Sequence, residues 1–117
     1  MSEGAFMYAR VWRFNIRPGK LEEFSEAVRT LVPEARKERG FRGFIVLRGR
    51  TEEEVTECTM IGLWQSRAYL RESEQGLFLP RALAHLITCC TGFPLIQEHE
   101  VLVNEFTTHT GDELITC

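Results

Sequence analysis

The segment TMIGLWQSRAYL, residues 59–70, contains the end of one structural element and the start of another. Its first half belongs to a predicted strand over Val55–Trp64, and its second half to a predicted helix that Ser66 caps and that extends to about Gln75. A protein core usually places its largest side chains within an element, whereas a small-molecule pocket often opens at such a junction. The position of Trp64 between strand and helix therefore raises the hypothesis of a pocket there.

The residues before this segment predict two strands that flank a helix. Aromatic and β-branched residues indicate strands over Tyr8–Ile16 and over residues 41–49. Between them, apolar residues recur at spacings of three and four from position 21 to position 35, which is typical of an amphipathic helix with one buried face. Gly40 is predicted to end this helix, and Arg36, Lys37 and Arg39 are expected in its last turn.

The residues after the segment predict one more helix and one more strand. A helical piece is expected over residues 80–90, with Pro80 in its first turn, and the last strand over residues 96–106. The resulting order of strand, helix, strand, strand, helix, strand is that of the split βαβ, ferredoxin-like arrangement. We therefore predict an α+β fold with an antiparallel four-stranded sheet and the helices on one of its faces.

Both faces of the first strand carry apolar side chains. Trp12 and Phe14 point to one side of this strand, and Val11 points to the other. A single layer of helices covers only one face, so the second face needs another apolar surface, which a second copy of the chain supplies most simply. The sequence thus predicts a homodimer whose two sheets face each other.

Composition and sequence patterns limit the partners and the cellular location that we expect for this protein. The 117 residues suffice for one domain, which we place at residues 8–106 between an N-terminal extension, residues 1–7, and a polar tail, residues 107–117, that is expected to dock on the partner. The net charge is −3 and the 14 basic residues are dispersed, which argues against nucleic acid. No apolar run approaches the roughly 18 residues of a membrane helix, and no signal peptide is recognisable, so a cytoplasmic location is expected.

The four cysteines are expected to be free thiols. Cys58 lies in a predicted strand, Cys89 and Cys90 in a predicted helix, and Cys117 at the last position. No pair has the C-x-x-C spacing of metal and redox sites, and thiols of a cytoplasmic protein stay reduced. We therefore predict no metal and no disulfide.

Two arginines of the first strand need an explanation. Arg10 and Arg13 lie beside residues that are predicted to be buried, and a buried arginine requires a partner of opposite charge. Glu57, Glu105 or the carboxylate of a ligand are the candidate partners.

Aromatic residues from several elements could form one wall. Tyr69 and Phe78 complete such a wall with Trp12 and Trp64, and the alternative interpretation is that the four are ordinary core residues. His85 is expected at the edge of the buried face of its helix or in solvent, according to the angular spacing of helical residues.

Four stretches together resemble the antibiotic biosynthesis monooxygenase domain: RVWRFNIRPGKLEEF (residues 10–24), ERGFRGF (38–44), MIGLWQSRAYLRES (60–73) and EHEVLVNEF (98–106). The resemblance covers about residues 8 to 106. It implies a dimeric α+β barrel with a pocket in each protomer between sheet and helices. Its members include quinone-forming monooxygenases, haem-degrading enzymes, quinol oxygenases and proteins of no known activity.

The family's polyketide-acting members provide one set of residues to compare. Met60 stands where those members have an asparagine, four positions before the tryptophan that Trp64 matches. Tyr69 approximates a tyrosine of the following helix, and Ala84 and His85 occupy the region of a later arginine. The haem-degrading members provide a second set.

In those haem-degrading members an asparagine on the first strand, a second tryptophan and a ligating histidine act together. In this chain Trp12 stands at the position of the asparagine, and the second tryptophan would fall at about Ser73. His85 lies within two residues of the position of the histidine. The resemblance therefore leaves a haem-binding or haem-degrading protein as a less favoured alternative.

The sequence contains no G-x-G-x-x-G fingerprint, cysteine cluster or defensible metal-ligand set, so no cofactor is expected. The resemblance then implies a cofactor-independent monooxygenase of small aromatic or polyketide quinols, in which a base deprotonates the substrate before it reacts with O₂ in an apolar pocket. The alternative is a non-catalytic dimeric protein that binds a hydrophobic metabolite. The candidate catalytic residues are His85 and Tyr69, and the candidate substrate-binding residues are Trp12, Met60, Trp64 and Phe78.

Overall fold

The structure is a computed structural model that describes residues 6–106. It contains four strands and three α-helices in the order β1 Tyr8–Ile16, α1 Leu21–Ala35, β2 Phe41–Glu52, β3 Val55–Trp64, α2 Arg67–Ser73, α3 Phe78–Leu86 and β4 Leu95–Glu100. A 3₁₀ turn, Ile87–Cys89, follows α3. The predicted α+β ferredoxin-like fold is confirmed. None of the helices in this part of the chain is long and apolar enough to cross a membrane, and the predicted docking of the tail lies outside the described residues.

The sheet is antiparallel throughout, with the strand order β2-β3-β1-β4. Trp12 of β1 is opposite Met60 of β3, which is in turn opposite Val46 of β2. Arg10 of β1 lies between Gly62 of β3 and Glu98 of β4. Residues that are directly opposite point to the same face, so this register fixes which side chains meet beneath the helices.

Helix α1 packs its apolar stripe on the sheet and is shorter than predicted. Phe24, Val28 and Ala35 are its buried residues. The helix ends at Ala35, two residues after Pro33, which cannot donate a helical hydrogen bond. The basic residues at positions 36, 37 and 39 therefore follow the helix instead of forming its last turn. Gly40 closes this connection with a φ of 78°.

The connection between β2 and β3 is tighter than predicted. Strand β2 continues to Glu52 instead of ending at residue 49, and the turn consists of Glu53 and Glu54. Both turn residues have positive φ, 51° and 68°, as the two-residue turns that match the twist of a hairpin require. The pairing is irregular between Arg48 and Thr51, which accommodates the longer strand.

The last strand ends earlier than predicted. Strand β4 stops at Glu100 because its neighbour β1 begins at Tyr8, which is the residue opposite Glu100. No strand is available beyond that point to pair with residues 101–106, which carry the highly exposed side chains of Leu102, Val103 and Phe106. The prediction of a strand over residues 96–106 was therefore wrong in its second half.

The hydrophobic core lies between the sheet and the helices. The ring of Phe14 is 5.7 Å from that of Trp12 and 5.0 Å from that of Phe24, measured between centroids. Cys58, Cys89 and Cys90 are buried in the same cluster as free cysteines. Burial raises the pKa of the Cys90 thiol to about 11, and the neighbouring Cys89 contributes, so this thiol stays protonated and unreactive. Cys117 lies outside the described residues.

The opposite face of the sheet is also apolar, and none of the helices within residues 6–106 packs on it. Ile45 and Leu47 of β2 are 55% and 49% exposed, and Ile61 and Leu63 of β3 are half-buried beside them. Val11 of β1 lies next to Ile61 on this face. The sequence prediction of apolar residues on both sides of β1 is thus confirmed, and this outer face is the surface that the predicted homodimer would cover.

Candidate functional site

A cavity of about 60 Å³ lies between the sheet and the helices. The four residues that the sequence analysis selected for substrate binding all line it: Trp12, Met60, Trp64 and Phe78. Phe41 and Phe44 of β2 and Ala82 of α3 add to its walls. The cavity is therefore almost entirely apolar, and four aromatic residues of the sheet and one of α3 line it.

The cavity owes its space to Gly62, which the sequence analysis did not single out. Met60, Gly62 and Trp64 alternate along the helix-facing side of β3, so the missing side chain leaves a gap between two large ones. A Cβ atom at position 62 would meet only the indole Nε1 of Trp64 at 3.8 Å and the carbonyl oxygen of Arg10 at 4.0 Å. A glycine within a strand often marks a site where a ligand or another backbone approaches closely, and Gly62 carries that signal in the sequence.

Trp64 belongs both to the packing of the junction and to the cavity wall. Its side chain is buried, and its ring meets the ring of Phe41 edge-on at 5.3 Å. The guanidinium of Arg10 lies 5.6 Å from the centroid of the indole, within the range of a cation–π interaction. Trp64 is therefore both a packing residue of the core and a wall of the cavity.

Arg10 is buried at the same wall, with only 4% of its surface exposed. Its Nη2 donates hydrogen bonds to the hydroxyl of Ser73 at 3.0 Å, to the carbonyl of Leu70 at 3.2 Å and to a carboxylate oxygen of Glu74 at 3.4 Å. The end of helix α2 thus supplies all three acceptors. Burial lowers the pKa of Arg10 from its ordinary value, and the charge of Glu74 opposes this effect.

The predicted protein partners of Arg10 were wrong. Glu57 lies opposite Asn15, on the outer side of β1 and β3, whereas Arg10 points to the helices. Glu105 follows the end of β4 and is exposed. The second arginine, Arg13, is itself exposed on the outer face and needs no buried partner. The alternation of side chains along a strand already indicates that Glu57 and Arg10 point to opposite faces. The position of α2 next to Arg10, in contrast, depends on tertiary packing.

Further charges surround the carboxylate that binds Arg10. Arg71 lies 3.8 Å from Glu74 and 3.4 Å from Glu98, the residue opposite Arg10 on β4. A hydrogen bond with Glu74 raises the pKa of Glu98, and partial burial adds to this effect. Glu38 is close enough to Arg10 for its charge to act on it, although burial raises the pKa of Glu38. Arg10 is thus the inner member of a charged group that extends to the surface.

Tyr69 does not line the cavity. Its ring packs against the backbone of Gly40, where an added Cβ would come within 2.3 Å of the ring carbon Cγ. On its other side, the guanidinium of Arg39 lies 5.6 Å from the ring centroid. The side chain therefore fastens helix α2 to the connection between α1 and β2.

His85 does not line the cavity either. It is exposed on α3, seven residues beyond Phe78, which corresponds to about 10 Å along a helix. It borders a separate open groove between α1 and α3 together with Glu23, Glu26 and Thr30. The expectation that it lies at the edge of the helix face or in solvent agrees with this position.

The site offers one kind of electrostatic chemistry. Within residues 6–106, Arg10 is the only ionisable side chain that lines the cavity, and no group of three metal-ligating side chains occurs there. A cation in an apolar enclosure stabilises negative charge far more strongly than it would in water. The cavity is therefore suited to hold a flat apolar molecule that has, or develops, negative charge at one edge.

Comparisons with known proteins identify the family to which this chain belongs. The sequence model for antibiotic biosynthesis monooxygenases matches residues 7–76. The comparison with curated protein sequences gave no match. Several solved structures share the fold.

A conserved protein from Methanosarcina mazei has a TM-score of 0.67 and 20% identity over 83% of this chain and 94% of its own. A Caulobacter crescentus protein, provisionally named an antibiotic biosynthesis monooxygenase, has a TM-score of 0.68 and 22% identity over 86% and 94%. SnoaB, a cofactor-independent oxygenase from Streptomyces nogalater, has a TM-score of 0.65 and 14% identity over 90% and 100%. At these identities the structures support the fold alone, whereas the sequence match covers more than half of the chain. The chain therefore belongs to the antibiotic biosynthesis monooxygenase family.

Proposed function

We propose that this protein is a cofactor-independent monooxygenase that oxidises a small, electron-rich aromatic quinol in the cavity beside Trp64. The observation that carries the proposal is an apolar cavity with one buried cation at its wall, in a chain of a monooxygenase family. An ionised quinol is electron-rich enough to pass an electron to O₂, and the apolar walls exclude water while the reduced oxygen species exists. Trp12, Met60, Trp64 and Phe78 bind the substrate in this proposal.

The size of the cavity restricts the substrate. Its volume of about 60 Å³ is below the roughly 150 Å³ of an engineered cavity that binds benzene, so a wall must move for even one ring to enter. Phe78 is the best placed wall to do so, because it is half-buried and begins α3 directly after the exposed residues 75–77. We therefore favour quinols of one or two rings over larger polyketides.

A catalytic role for Tyr69 or His85 stays a prediction. Neither side chain reaches the cavity, so either one would need a change of position or a chain of water molecules to take a proton from the substrate. The alternative is that the substrate ionises in solution and enters as its anion, which requires no base in the cavity.

Oxygen uptake tests the proposal. The purified protein, treated with a metal chelator, is expected to accelerate O₂ consumption with members of a panel of one- and two-ring quinols, and the product should be a hydroxylated quinone that carries one oxygen atom of O₂ while the other leaves as water. Gly62→Ala should lower kcat/KM by roughly tenfold or more, because the added methyl group occupies the cavity and one methylene in an apolar pocket typically has this effect.

Gly49→Ala is the matched control for that experiment. Its added Cβ would have ordinary contacts of 3.4 Å or more and lies away from the cavity, so oxidation should be unchanged. If both variants, or neither, change the rate, the cavity is not where the quinol reacts.

The second candidate is a non-catalytic protein that binds a hydrophobic metabolite. It is favoured by the apolar side chain of Met60, which cannot hydrogen-bond a substrate oxygen usefully, and by the absence of a carboxylate or histidine from the described cavity wall. Saturable binding of the quinols without O₂ uptake would support this candidate. The haem alternative has less support, since the cavity is small and His85 borders a different groove.

We further propose that a second copy of the chain covers the outer face of the sheet. Sedimentation equilibrium at micromolar concentration should give twice the chain mass of 13.5 kDa. Ile61→Glu places a charge in the middle of this apolar face and should shift the protein to monomer, whereas Thr30→Glu on the exposed side of α1 should not. A wild-type mass of 13.5 kDa would contradict the homodimer.

A further inference from the structure

We propose that Arg10 is the anion-binding residue of the cavity, and that the ligand it selects is a small planar aromatic with a single negative charge, a phenolate or an arene carboxylate. The inference rests on the proposed function only in taking this cavity as the ligand site. It holds whether the bound molecule is then oxidised or simply retained.

The hydrogen bonds that Arg10 makes with the described residues leave two of its three guanidinium nitrogens available to a ligand. All three hydrogen bonds that it donates to the described residues come from Nη2. No fully buried side-chain nitrogen or oxygen in the described part of the chain lacks a partner, so Nε and Nη1 are not sealed from small molecules. Because the side chain is 95% shielded from solvent and lines the cavity, we infer that these donors are reached from the cavity.

The remaining walls determine what shape of anion fits. They are apolar, and the rings of Trp12 and Trp64 come from neighbouring strands on the same side of the sheet. A flat aromatic ring can make apolar contacts with these walls. A compact, strongly hydrated inorganic anion would instead lose its hydration shell and gain contact with only one cation in exchange. Nε and Nη1 do not share an edge of the guanidinium plane, so each offers a single hydrogen bond to one oxygen atom, that of a phenolate or one of a carboxylate, at the edge of an aromatic ring.

Glu74 controls how much positive charge the ligand experiences. Its contact of 3.4 Å with Nη2 is longer than the roughly 2.7–2.9 Å of a strong charge-assisted hydrogen bond, and its side chain is 29% exposed. Glu98 and Glu38 are the other acidic groups whose charges act on Arg10, and Arg71 binds both Glu98 and Glu74. Neutralising Glu74 should therefore strengthen anion binding, which is the opposite of what removal of Arg10 should do.

The test uses 4-nitrophenol, whose ionised form is yellow, and its neutral analogue 4-nitroanisole, with benzoate as the carboxylate probe. The wild-type protein should bind the phenolate at least roughly tenfold more tightly than the anisole, as expected for a hydrogen bond to a charged group. It should also lower the apparent pKa of the bound phenol. Tight binding of benzoate but not of the phenolate would assign the site to carboxylates, within the same proposal.

The variants separate an electrostatic role of Arg10 from a structural one. Arg10→Met should abolish the preference for the anion, Arg10→Lys should retain part of it, and Glu74→Gln should increase it. Arg29→Met removes an exposed arginine of α1 and is the control for net charge, so it should change nothing. If Arg10→Met does not fold, the opposite shifts of Arg10→Lys and Glu74→Gln still decide the matter.

The proposal is overturned if the wild-type protein binds the phenolate and the anisole equally, if it binds none of the three probes, or if Glu74→Gln leaves the preference for the anion unchanged. Oxygen uptake is measured on the same samples. A preference for the anion that depends on Arg10, without O₂ uptake from any quinol, would reject the monooxygenase and retain this inference.

Discussion

Replacing Gly40 by alanine is expected to lower the free energy of unfolding by about 3 kcal/mol, from two causes. The residue has a φ of 78°, where an alanine is strained by roughly 1–2 kcal/mol. The added Cβ would also lie 2.3 Å from Cγ of Tyr69, and overpacking of this kind costs roughly 1–3 kcal/mol. The backbone cannot easily move away, because the carbonyl of Gly40 accepts a hydrogen bond of 2.7 Å from the amide of Gln65.

Urea unfolding of two further variants separates the causes. Gly19 has nearly the same φ, 77°, but nothing lies within 4 Å of the position its Cβ would take, so Gly19→Ala should show the backbone strain alone. The Cβ added at position 40 would also lie 2.5 Å from Cβ of Tyr69, so Tyr69→Gly rather than Tyr69→Ala is needed to remove the steric part, and Gly40→Ala should then cost about 1 kcal/mol relative to Tyr69→Gly alone. Equal losses for the alanines at positions 19 and 40 would show that the ring of Tyr69 does not constrain Gly40.

Local signals predicted that Gly40 ends helix α1, whereas it ends the connection that follows the helix, and they did not predict its contact with Tyr69. Glycine after a run of basic residues is a local pattern, and so is the N-cap that Ser66 provides by accepting a hydrogen bond from the amide of Tyr69 at 3.3 Å. The approach of α2 to the α1–β2 connection, in contrast, joins residues 29 positions apart. The sequence alone therefore leaves Tyr69 as a catalytic candidate, whereas its ring packs on the backbone of Gly40.

Strand parity explains why most of the cavity could be predicted. Met60 and Trp64 are four residues apart on β3, and the antiparallel register places Trp12 directly opposite Met60. Parity equally placed Arg10 on the helix side, but it does not say which helix lies above, so Glu74 was missed. Gly62 was missed for a different reason: the sequence analysis searched for side chains that supply chemistry, and this position acts by having none.

The lengths of the elements were predicted less well where they depend on a neighbour. Strand β4 ends opposite Tyr8, the first residue of β1, with one more hydrogen bond from the amide of Val101 to the carbonyl of Met7, and β2 extends because β3 offers partners up to Val55. A strand cannot persist at its edge without hydrogen bonds, however suitable its side chains are. The apolar residues beyond Glu100 therefore carried the strand pattern without forming a strand.

Replacing Trp64 by alanine is expected to reduce both stability and ligand binding. The indole is 97% buried, so its loss should lower the free energy of unfolding by roughly 3–5 kcal/mol. Part of this loss comes from the edge-on contact with Phe41 and from the guanidinium of Arg10 over the ring. Binding of a planar quinol or quinone should weaken by roughly 1–3 kcal/mol, the scale of one large aromatic contact.

Phe14→Ala is the control that separates these two effects. Phe14 is 1% exposed, stacks on Trp12 and meets Phe24 edge-on, so its removal should destabilise the protein to a similar degree. It does not line the cavity, however, and binding measured by equilibrium dialysis well below the melting temperature of both variants should stay close to that of the wild type. If Phe14→Ala weakens binding as much as Trp64→Ala does, the effect arises from general loosening of the core, and Trp64 is a packing residue only. If Trp64→Ala alone weakens binding, the tryptophan at the end of β3 forms the wall against which the ligand lies.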